Sequence, residues 1–306
     1  MLFFIIKRLF VILLTLLCLS FIVFSLVTIE PNLKKLALNQ ANMRMEEEAV
    51  QSWLEKNGYK RPLLVQYSEW LGNAVTGDFG YSTHFKKPVN DVVWPKLWHT
   101  GILMFWVLLI TIPISLVIGV ISGMREGSKT DRSLSVFSIV TTSVPQYVSG
   151  ILLTIILSSW LGLVKGVAKA GNITLENFTL PVLTIVLYDI GYIARMTRAS
   201  MVEVMGTLYI RTARLKGMPF ISVVLKHALR NALIAPFTVI MLQFPWLLTG
   251  VVIVEKLFNY KGFGFLLVSA ADQNDIDVTL ACGVVAVVLV LTTQLISDIG
   301  LSLIHI

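Results

Sequence analysis

The apolar residues of the chain are gathered into six long blocks separated by polar segments. Each block is close to the roughly 20 residues that a membrane-spanning helix needs, and none shows the alternating pattern of a membrane strand. Prolines 113, 145 and 245 interrupt three of the blocks, which a helix inside a membrane bundle tolerates. The sequence therefore predicts an all-α integral membrane bundle of six transmembrane helices, at residues 9–29, 101–122, 134–161, 179–194, 232–254 and 278–299.

The composition favours lipid as the solvent of most of the chain. Hydrophobic residues make up 56% of its 306 residues and charged residues 14%, whereas a soluble domain has about 25% charged residues. The formal net charge of +7 does not indicate nucleic acid binding, because the basic residues lie in short segments between apolar blocks. Cys18 and Cys282 each lie inside an apolar block, so we expect buried thiols and neither a disulfide nor a zinc site.

The N-terminal block imitates a secretory signal, since Lys7 and Arg8 precede it. The apolar run at residues 9–29 is longer than a typical signal core, and no clear small-x-small cleavage site follows it. We therefore expect residues 1–29 to form a retained N-terminal transmembrane helix.

Basic residues predict the orientation of the chain, because short loops rich in lysine and arginine stay in the cytoplasm. Lys7 and Arg8 place the N-terminus inside, and with six spans the loop at residues 123–133 is then inside too. Residues 195–230 follow on the same side and carry seven basic residues against Glu203 alone. The opposite side receives residues 30–99, the loop around Lys165 and Lys169, and the acidic loop with Asp272, Asp275 and Asp277.

The external stretch at residues 30–99 is predicted to be a small folded subdomain. Its apolar residues recur at helical spacing, and residues 76–80 form a turn signal. The remaining residues, 100–306, form the core membrane domain in this division, with five transmembrane helices and a cytoplasmic loop at residues 200–231. Within residues 30–99, the apolar residues that recur at helical spacing are Trp53, Leu54, Leu63, Leu64, Val65, Tyr67, Trp70 and Leu71.

Three stretches of sequence carry a family resemblance when they are taken together in this order and spacing. The first is residues 61–67 (RPLLVQY) followed by residues 77–82 (GDFGYS), and the second is residues 209–217 (YIRTARLKG) followed by residues 227–234 (HALRNALI). The third is residues 254–264 (VEKLFNYKGFG), and residues 143–147 (SVPQY) add to the likeness. With them the chain resembles, over nearly its whole length, the permeases of peptide and nickel ATP-binding-cassette importers.

This resemblance implies a translocation subunit of the bacterial inner membrane. Its expected partners are a second homologous permease, two cytoplasmic ATPase subunits, a periplasmic or lipid-anchored substrate-binding protein and the lipid bilayer. It implies no cofactor in this chain, with ATP and Mg bound by the partner subunits. Peptides are the expected cargo, and nickel chelates or short oligosaccharides are the alternative within the same machinery.

Residues 203–231, the coupling segment, are expected to dock into an ATPase subunit. The sequence favours a short helix at residues 209–216 that Gly217 ends and a second helix that Pro219 begins. An ordinary basic cytoplasmic loop is the competing interpretation, because it would carry the same charges. The resemblance assigns ATPase coupling to Glu203, Tyr209, Arg211, Thr212, Ala213, Arg214, Lys216, Gly217, His227, Arg230 and Asn231.

Residues 255–264, the gate segment, leave the fifth predicted span with aromatic residues between glycines. The resemblance implies that this segment returns toward the pathway as an external gate. A belt of aromatic residues at the membrane surface is the alternative, with Phe258, Tyr260 and Phe263 at that depth. The gate residues named by the resemblance are Glu255, Phe258, Asn259, Gly262 and Gly264.

Asp189 is an acidic residue near the middle of a predicted span, and it departs from the family, which has a small or aromatic residue there. A carboxylate in a membrane is costly and usually faces a water-filled path or a partner group. Asp189 is therefore either a pathway residue that meets a cationic group of the cargo or a structural acid bonded to a neighbouring helix. A second departure lies at the end of the chain, where the family's short basic tail is expected and no lysine or arginine follows Lys261.

Enzymatic functions find little support in the sequence. No G-x-x-x-x-G-K-[ST] loop is present to cradle phosphates, so ATP hydrolysis is expected in separate subunits. The four histidines are scattered without metal-ligand spacing, and no metal site is expected. An intramembrane hydrolase, the distant alternative, would need a nucleophile with its base or paired acids within the spans, and Asp189 has no second acid at its depth.

Overall fold

A computed structural model of the protein describes residues 2–41, 46–166 and 174–304. Helices form the regular structure of these ranges, which confirms the all-α fold class. Lys169 and the end of the chain at His305 and Ile306, both considered above, lie outside the described residues. In chain order the α-helices are α1 (Leu2–Val27), α2 (Glu30–Ala41), α3 (Glu47–Lys56), α4 (Leu63–Val75), α5 (Val89–Gly123), α6 (Lys129–Ser143), α7 (Gln146–Leu153), α8 (Leu175–Met205), α9 (Leu208–Leu215), α10 (Phe220–Val223), α11 (Leu229–Ala232), α12 (Ile234–Leu257), α13 (Phe263–Asp272) and α14 (Ile276–Ile304).

Two short π-helical segments interrupt this series. Thr154–Trp160 continues α7, and Val224–Ala228 lies between α10 and α11. Both lie within longer helical stretches, as is usual for π-helical turns.

Four of the described helices are long and apolar enough to cross a membrane by themselves: Ile6–Val27, Val89–Gly123, Asn177–Met205 and Ile276–Gly300. The count reaches the six predicted spans if each of two bent helix pairs is one span. These pairs are Lys129–Ser143 with Gln146–Trp160, bent by 102°, and Phe220–Ala232 with Ile234–Gln243, bent by 47°.

The third predicted span differs most from its expected form. The sequence indicated one kinked helix, whereas the structure ends α6 at Ser143 and starts α7 at Gln146 after an extended Val144. Pro145 explains the break, because proline lacks an amide donor and disfavours helical backbone in the residue before it. Prolines 113 and 245, by contrast, lie within the continuous helices α5 and α12.

The chain divides into two compact units. The first consists of Met1–Thr100 and Lys261–Thr292, and the second of Gly101–Tyr260 and Thr293–Ile306. The sequential division into residues 1–29, 30–99 and 100–306 stays a prediction about membrane topology.

In the first unit, α1 packs against the helices of the stretch at residues 30–99. The Ser20 hydroxyl lies 2.7 Å from the Tyr67 hydroxyl, and the Phe24 ring lies 5.6 Å from the rings of both Tyr67 and Trp70. The predicted helical content of this stretch is confirmed by α2, α3 and α4. Cys282 is buried as expected, but Cys18 is exposed, because it lies on a part of the α1 surface that the rest of the chain does not cover.

The motif at residues 77–82 closes the first unit onto the start of α14. The Ser82 hydroxyl donates to Asp275 Oδ2 at 2.5 Å, and the His84 amide donates to the same oxygen at 3.2 Å. The Tyr81 amide donates to Asp277 Oδ2 at 3.3 Å. Asp275 and Asp277, which the sequence placed in an external loop, therefore accept hydrogen bonds from a turn about 195 residues away in the chain.

In the second unit, α8 is the central helix. In its most apolar stretch 72% of the residues are buried, compared with 11% in α1. Small residues let neighbouring backbones approach it closely: a Cβ on Gly119 would lie 2.7 Å from the Ala194 carbonyl oxygen, and a Cβ on Gly123 would lie 2.8 Å from that of Arg198. This G-x-x-x-G spacing is typical of close helix contacts in membranes.

Candidate functional site

The coupling segment has the local structure that the sequence predicted. Its first helix is α9, and Gly217 ends the following turn with a φ of +75°, in the left-handed region that glycine adopts without strain. Pro219 then precedes α10 as its N-cap residue. A helix, a tight turn and a second helix therefore follow one another within 25 residues of the end of α8, as expected.

Most of the residues assigned to coupling face outward. Ala213 is buried, and His227 is half-buried. The others are exposed: Glu203, Tyr209, Arg211, Thr212, Arg214, Lys216, Gly217, Arg230 and Asn231.

The inner face of the coupling segment is fixed on a hydrophobic cluster. Ile210 and Ala213 of α9 pack with Val223 of α10, Ala228 and, from α8, Met201. This packing gives the exposed face a rigid support, as a docking surface requires.

Two side-chain hydrogen bonds close the segment on itself and on α8. Asn231 Nδ2 donates to the Tyr209 hydroxyl oxygen at 2.8 Å, which joins the last residue of the coupling segment to its first helix. The Ser200 hydroxyl donates to the Ala232 carbonyl oxygen at 2.8 Å. Tyr209 and Asn231, which the resemblance named separately, are therefore one contact.

Two outward-facing leucines were missed by the sequence reasoning. Leu208 is 79% exposed and Leu215 is 80% exposed, at the two ends of α9. The sequence carries a signal for them, because a spacing of seven residues places both on one face of a helix. They give the basic surface of α9 an apolar component.

Phe220 joins the coupling segment to the α5–α6 turn, residues 124–128. The guanidinium carbon of Arg214 lies 5.5 Å from the centre of the Phe220 ring, and that of Arg125, in the turn, lies 5.4 Å from it. Both distances are within the range of a cation–π interaction.

Asp131 is the centre of a buried polar network that the sequence reasoning also missed. It is 2% exposed and accepts hydrogen bonds from Ser122 at 2.6 Å, from the Gly127 amide at 2.8 Å and from Arg198. Its own amide donates to the Ser128 side chain, which caps α6. A serine three residues before an acid is a helix-start signal, so the cap was readable in the sequence.

The gate residues are distributed over both units. In the second unit Glu255 and Phe258 are fully buried, and Asn259 adopts a φ of +53°. In the first unit Gly262 precedes α13 as its N-cap residue, and Gly264 is buried in that helix.

The buried rings argue against an aromatic belt at the membrane surface. Phe258, Tyr260 and Phe263 are 2%, 3% and 4% exposed, whereas belt residues face the lipid headgroups. Burial, and then the charge of Glu255, raise the pKa of Tyr260 above its ordinary value, so this phenol stays neutral. The gate role itself stays a prediction.

Asp189 is a residue of α8, and its side chain is buried against α12. It is 1% exposed, and Gln243 Nε2 donates to its Oδ1 at 3.5 Å, the outer limit of a hydrogen bond. The bond crosses to a neighbouring helix, as the structural hypothesis requires, but Gln243 also lines a cavity, as the pathway hypothesis requires. Arg195, six residues after Asp189 in the chain, is exposed.

Within the described ranges, no three His, Cys, Asp or Glu side chains are grouped so as to hold a metal ion.

Sequence comparisons identify relatives over most of the chain. The profile of the family described as "binding-protein-dependent transport system inner membrane component" matches residues 115–305, and the profile for the N-terminal part of such components matches residues 1–99. The oligopeptide transport system permease protein AppB of Bacillus subtilis is 36% identical over 257 residues, 81% of each chain. The glutathione transport system permease protein GsiC of Escherichia coli K12 is 34% identical over 285 residues, which is 92% of this chain and 90% of that protein.

A solved structure supports the fold. The crystal structure of an amino acid ABC transporter with histidines superposes with a TM-score of 0.56, covering 70% of this chain and 94% of the other. Its sequence identity is 16%, so the likeness concerns the fold alone.

Proposed function

The chain belongs to the family of binding-protein-dependent transport system inner membrane components, and we propose that it forms, with a second permease, the path by which peptides cross the membrane. It is a multi-pass membrane protein, a permease subunit of an ABC importer and not an enzyme by itself. Permease components of such importers bind no cofactor themselves. The observation that carries the proposal is the match of both family profiles along residues 1–99 and 115–305.

Peptides are the proposed cargo. The two relatives reported above are named for oligopeptide and glutathione transport, and the second aligns over nine-tenths of both chains. These names favour peptides over nickel chelates or short oligosaccharides. The substrate-binding protein that delivers the cargo would carry most of the selectivity.

The coupling segment is proposed to dock into one of two cytoplasmic ATPase subunits, which bind ATP and Mg. Three features support this role. Helix α9 faces outward from a hydrophobic cluster that holds its inner face, basic side chains are exposed along it, and Leu208 and Leu215 are exposed at its ends. Exposed apolar side chains beside charges are typical of surfaces that bind another protein. An ordinary basic cytoplasmic loop would need neither the hydrophobic cluster under α9 nor the exposed Leu208 and Leu215.

The orientation follows from this docking. The N-terminus and the coupling segment would be cytoplasmic, and residues 30–99 would be external, facing the substrate-binding protein. The distribution of lysine and arginine over the short loops supports this arrangement. The gate segment would then lie near the external side, where α12 ends.

Uptake measurements test the proposed function. Cells that lack this chain should lose ATP-dependent uptake of a radiolabelled tripeptide and regain it when the chain is supplied, while nickel and oligosaccharide uptake stay unchanged. An affinity tag on the chain should co-purify a second permease and an ATPase. Loss of nickel or oligosaccharide uptake with normal peptide uptake would replace the cargo, and unchanged uptake of all three would refute the function.

A further inference from the structure

A cavity of about 300 Å³ lies between α8 and α12, within the second unit. Three of its six lining residues are aromatic, and the rings of Tyr188 and Trp246 stack at 5.4 Å with an interplanar angle of 13°. The lining consists of Tyr188, Tyr192, Val239, Leu242, Gln243 and Trp246. Phenol, indole and amide groups thus face one space at the depth of a membrane span, where a surface turned to lipid would be apolar.

Asp189 is not one of the lining residues, but it follows the lining residue Tyr188 in the chain. It is connected to the lining by Gln243, whose Nε2 donates to the carboxylate at 3.5 Å and which is itself 6% exposed. Among the residues that the structure describes, this is the one hydrogen bond to Asp189, and no ion pair reaches it. A buried carboxylate without a basic neighbour is costly in a membrane unless it is protonated or a cation from elsewhere approaches it.

Aromatic faces beside a carboxylate are the combination that binds an ammonium ion. The negative face of each ring attracts the cation, and the carboxylate supplies its counter-charge. The Gln243 amide uses its nitrogen for Asp189, which leaves its carbonyl oxygen as an acceptor for an ammonium N–H. A neutral ligand would gain nothing from the carboxylate, and an anionic one would be repelled.

We propose that the cavity lined by Tyr188, Trp246 and Gln243 is a subsite of the translocation path that binds a primary ammonium group of the peptide cargo. The inference rests on the proposed function and names the chemistry of the cargo that this chain favours. The ammonium group comes from the N-terminus of the peptide or from a lysine side chain, and the test separates these sources.

The test compares three tripeptides in proteoliposomes that contain the whole importer and its binding protein: Ala-Lys-Ala, Ala-norleucine-Ala, and N-acetyl-Ala-norleucine-Ala. Asp189→Asn keeps the side-chain volume and removes the charge. Asp91→Asn, at an exposed acid of the first unit, is the matched control and should change none of the three rates.

A lysine subsite predicts that Asp189→Asn lowers the ratio of Ala-Lys-Ala to Ala-norleucine-Ala uptake by about fivefold or more. An N-terminal subsite predicts that both free peptides slow by that factor while the acetylated peptide does not. An equal change in all three rates, or no change, at unaltered abundance would overturn the inference. If Asp189→Asn does not reach the membrane, Tyr188→Leu decides the matter by the same ratios, because it removes one aromatic face at a half-buried position.

The failure of this inference and that of the proposed function give different results. If the parent importer transports the peptides and neither variant changes the ratios of their uptake rates, the proposed function stands and the subsite is refuted. A parent importer that transports none of the peptides overturns both.

Discussion

Arg198 of α8 and Asp131 of α6 form a bidentate ion pair. Nε donates to Oδ1 at 2.5 Å, and Nη2 donates to Oδ2 at 2.8 Å. The same carboxylate receives the Ser122 hydroxyl from α5 and the amide of Gly127. One acid therefore fastens the α5–α6 turn to the helix that leads into the coupling segment.

Asp131→Asn should destabilise the permease strongly. It leaves Arg198, which is mostly buried, without its counter-ion, and breaking such a pair costs about 3–5 kcal/mol. Thermal unfolding of the purified protein and its membrane abundance measure the loss. Ser135→Ala is the control, because it removes only one hydrogen bond, from a neutral hydroxyl to the same carboxylate, worth about 1.5–3 kcal/mol. Equal losses in the two variants would contradict the central role of the ion pair.

Two glycines of α5 should respond oppositely to alanine. A Cβ on Gly119 would lie 2.7 Å from the Ala194 carbonyl oxygen, so Gly119→Ala forces backbones apart and should cost about 1–3 kcal/mol. A Cβ on Gly101 meets nothing within 4 Å, so Gly101→Ala should leave stability unchanged or raise it by up to about 1 kcal/mol. Thermal unfolding of both variants decides, and a stable Gly119→Ala protein would show that α5 and α8 are not closely packed.

Gly217→Val should uncouple transport. The position has open space around it, so the effect comes from the φ of +75° alone, which costs a residue with a branched Cβ about 1–2 kcal/mol or more. We expect a turn of altered direction, normal membrane abundance and severalfold lower peptide uptake. Gly217→Asn is the control, because asparagine tolerates left-handed backbone. Normal uptake with valine would remove the turn from the coupling mechanism.

Leu208→Ser and Leu215→Ser should weaken the association with the ATPase and leave folding intact, since both side chains are about four-fifths exposed. The measurement is the amount of ATPase that co-purifies with the tagged permease. Leu64→Ser, in α4, removes a comparably exposed leucine, 69%, from the other unit and should have no effect. Full ATPase recovery with the double α9 variant would exclude the leucines from docking.

Single cysteines should report the orientation of the chain. In a background with Cys18→Ala and Cys282→Ala, an impermeant maleimide added to intact cells should label Ser68→Cys. Glu126→Cys, an exposed position of the α5–α6 turn, should react only after permeabilisation. The reverse pattern would invert the proposed topology.

Local features of this protein were accessible from the sequence. Each apolar block specifies a helix of membrane length by its own composition, and the six blocks reappear as single helices or bent pairs. The helix, glycine turn and proline start of the coupling segment depend on neighbouring residues only, so they were predicted correctly. Pro145 predicts an interruption of the third span, but the proline alone does not determine the size of the bend, 102°.

Partners distant in the chain were decided by the tertiary structure. Asp131 and Arg198 are 67 residues apart and Ser82 and Asp275 are 193 apart, and in the sequence each of these residues reads only as part of a loop or turn. Burial was equally inaccessible: Phe258 reads as a membrane-surface ring and is 2% exposed. The composition of a segment determines whether it forms a helix in a membrane, but which of its faces is covered depends on the helices that pack against it.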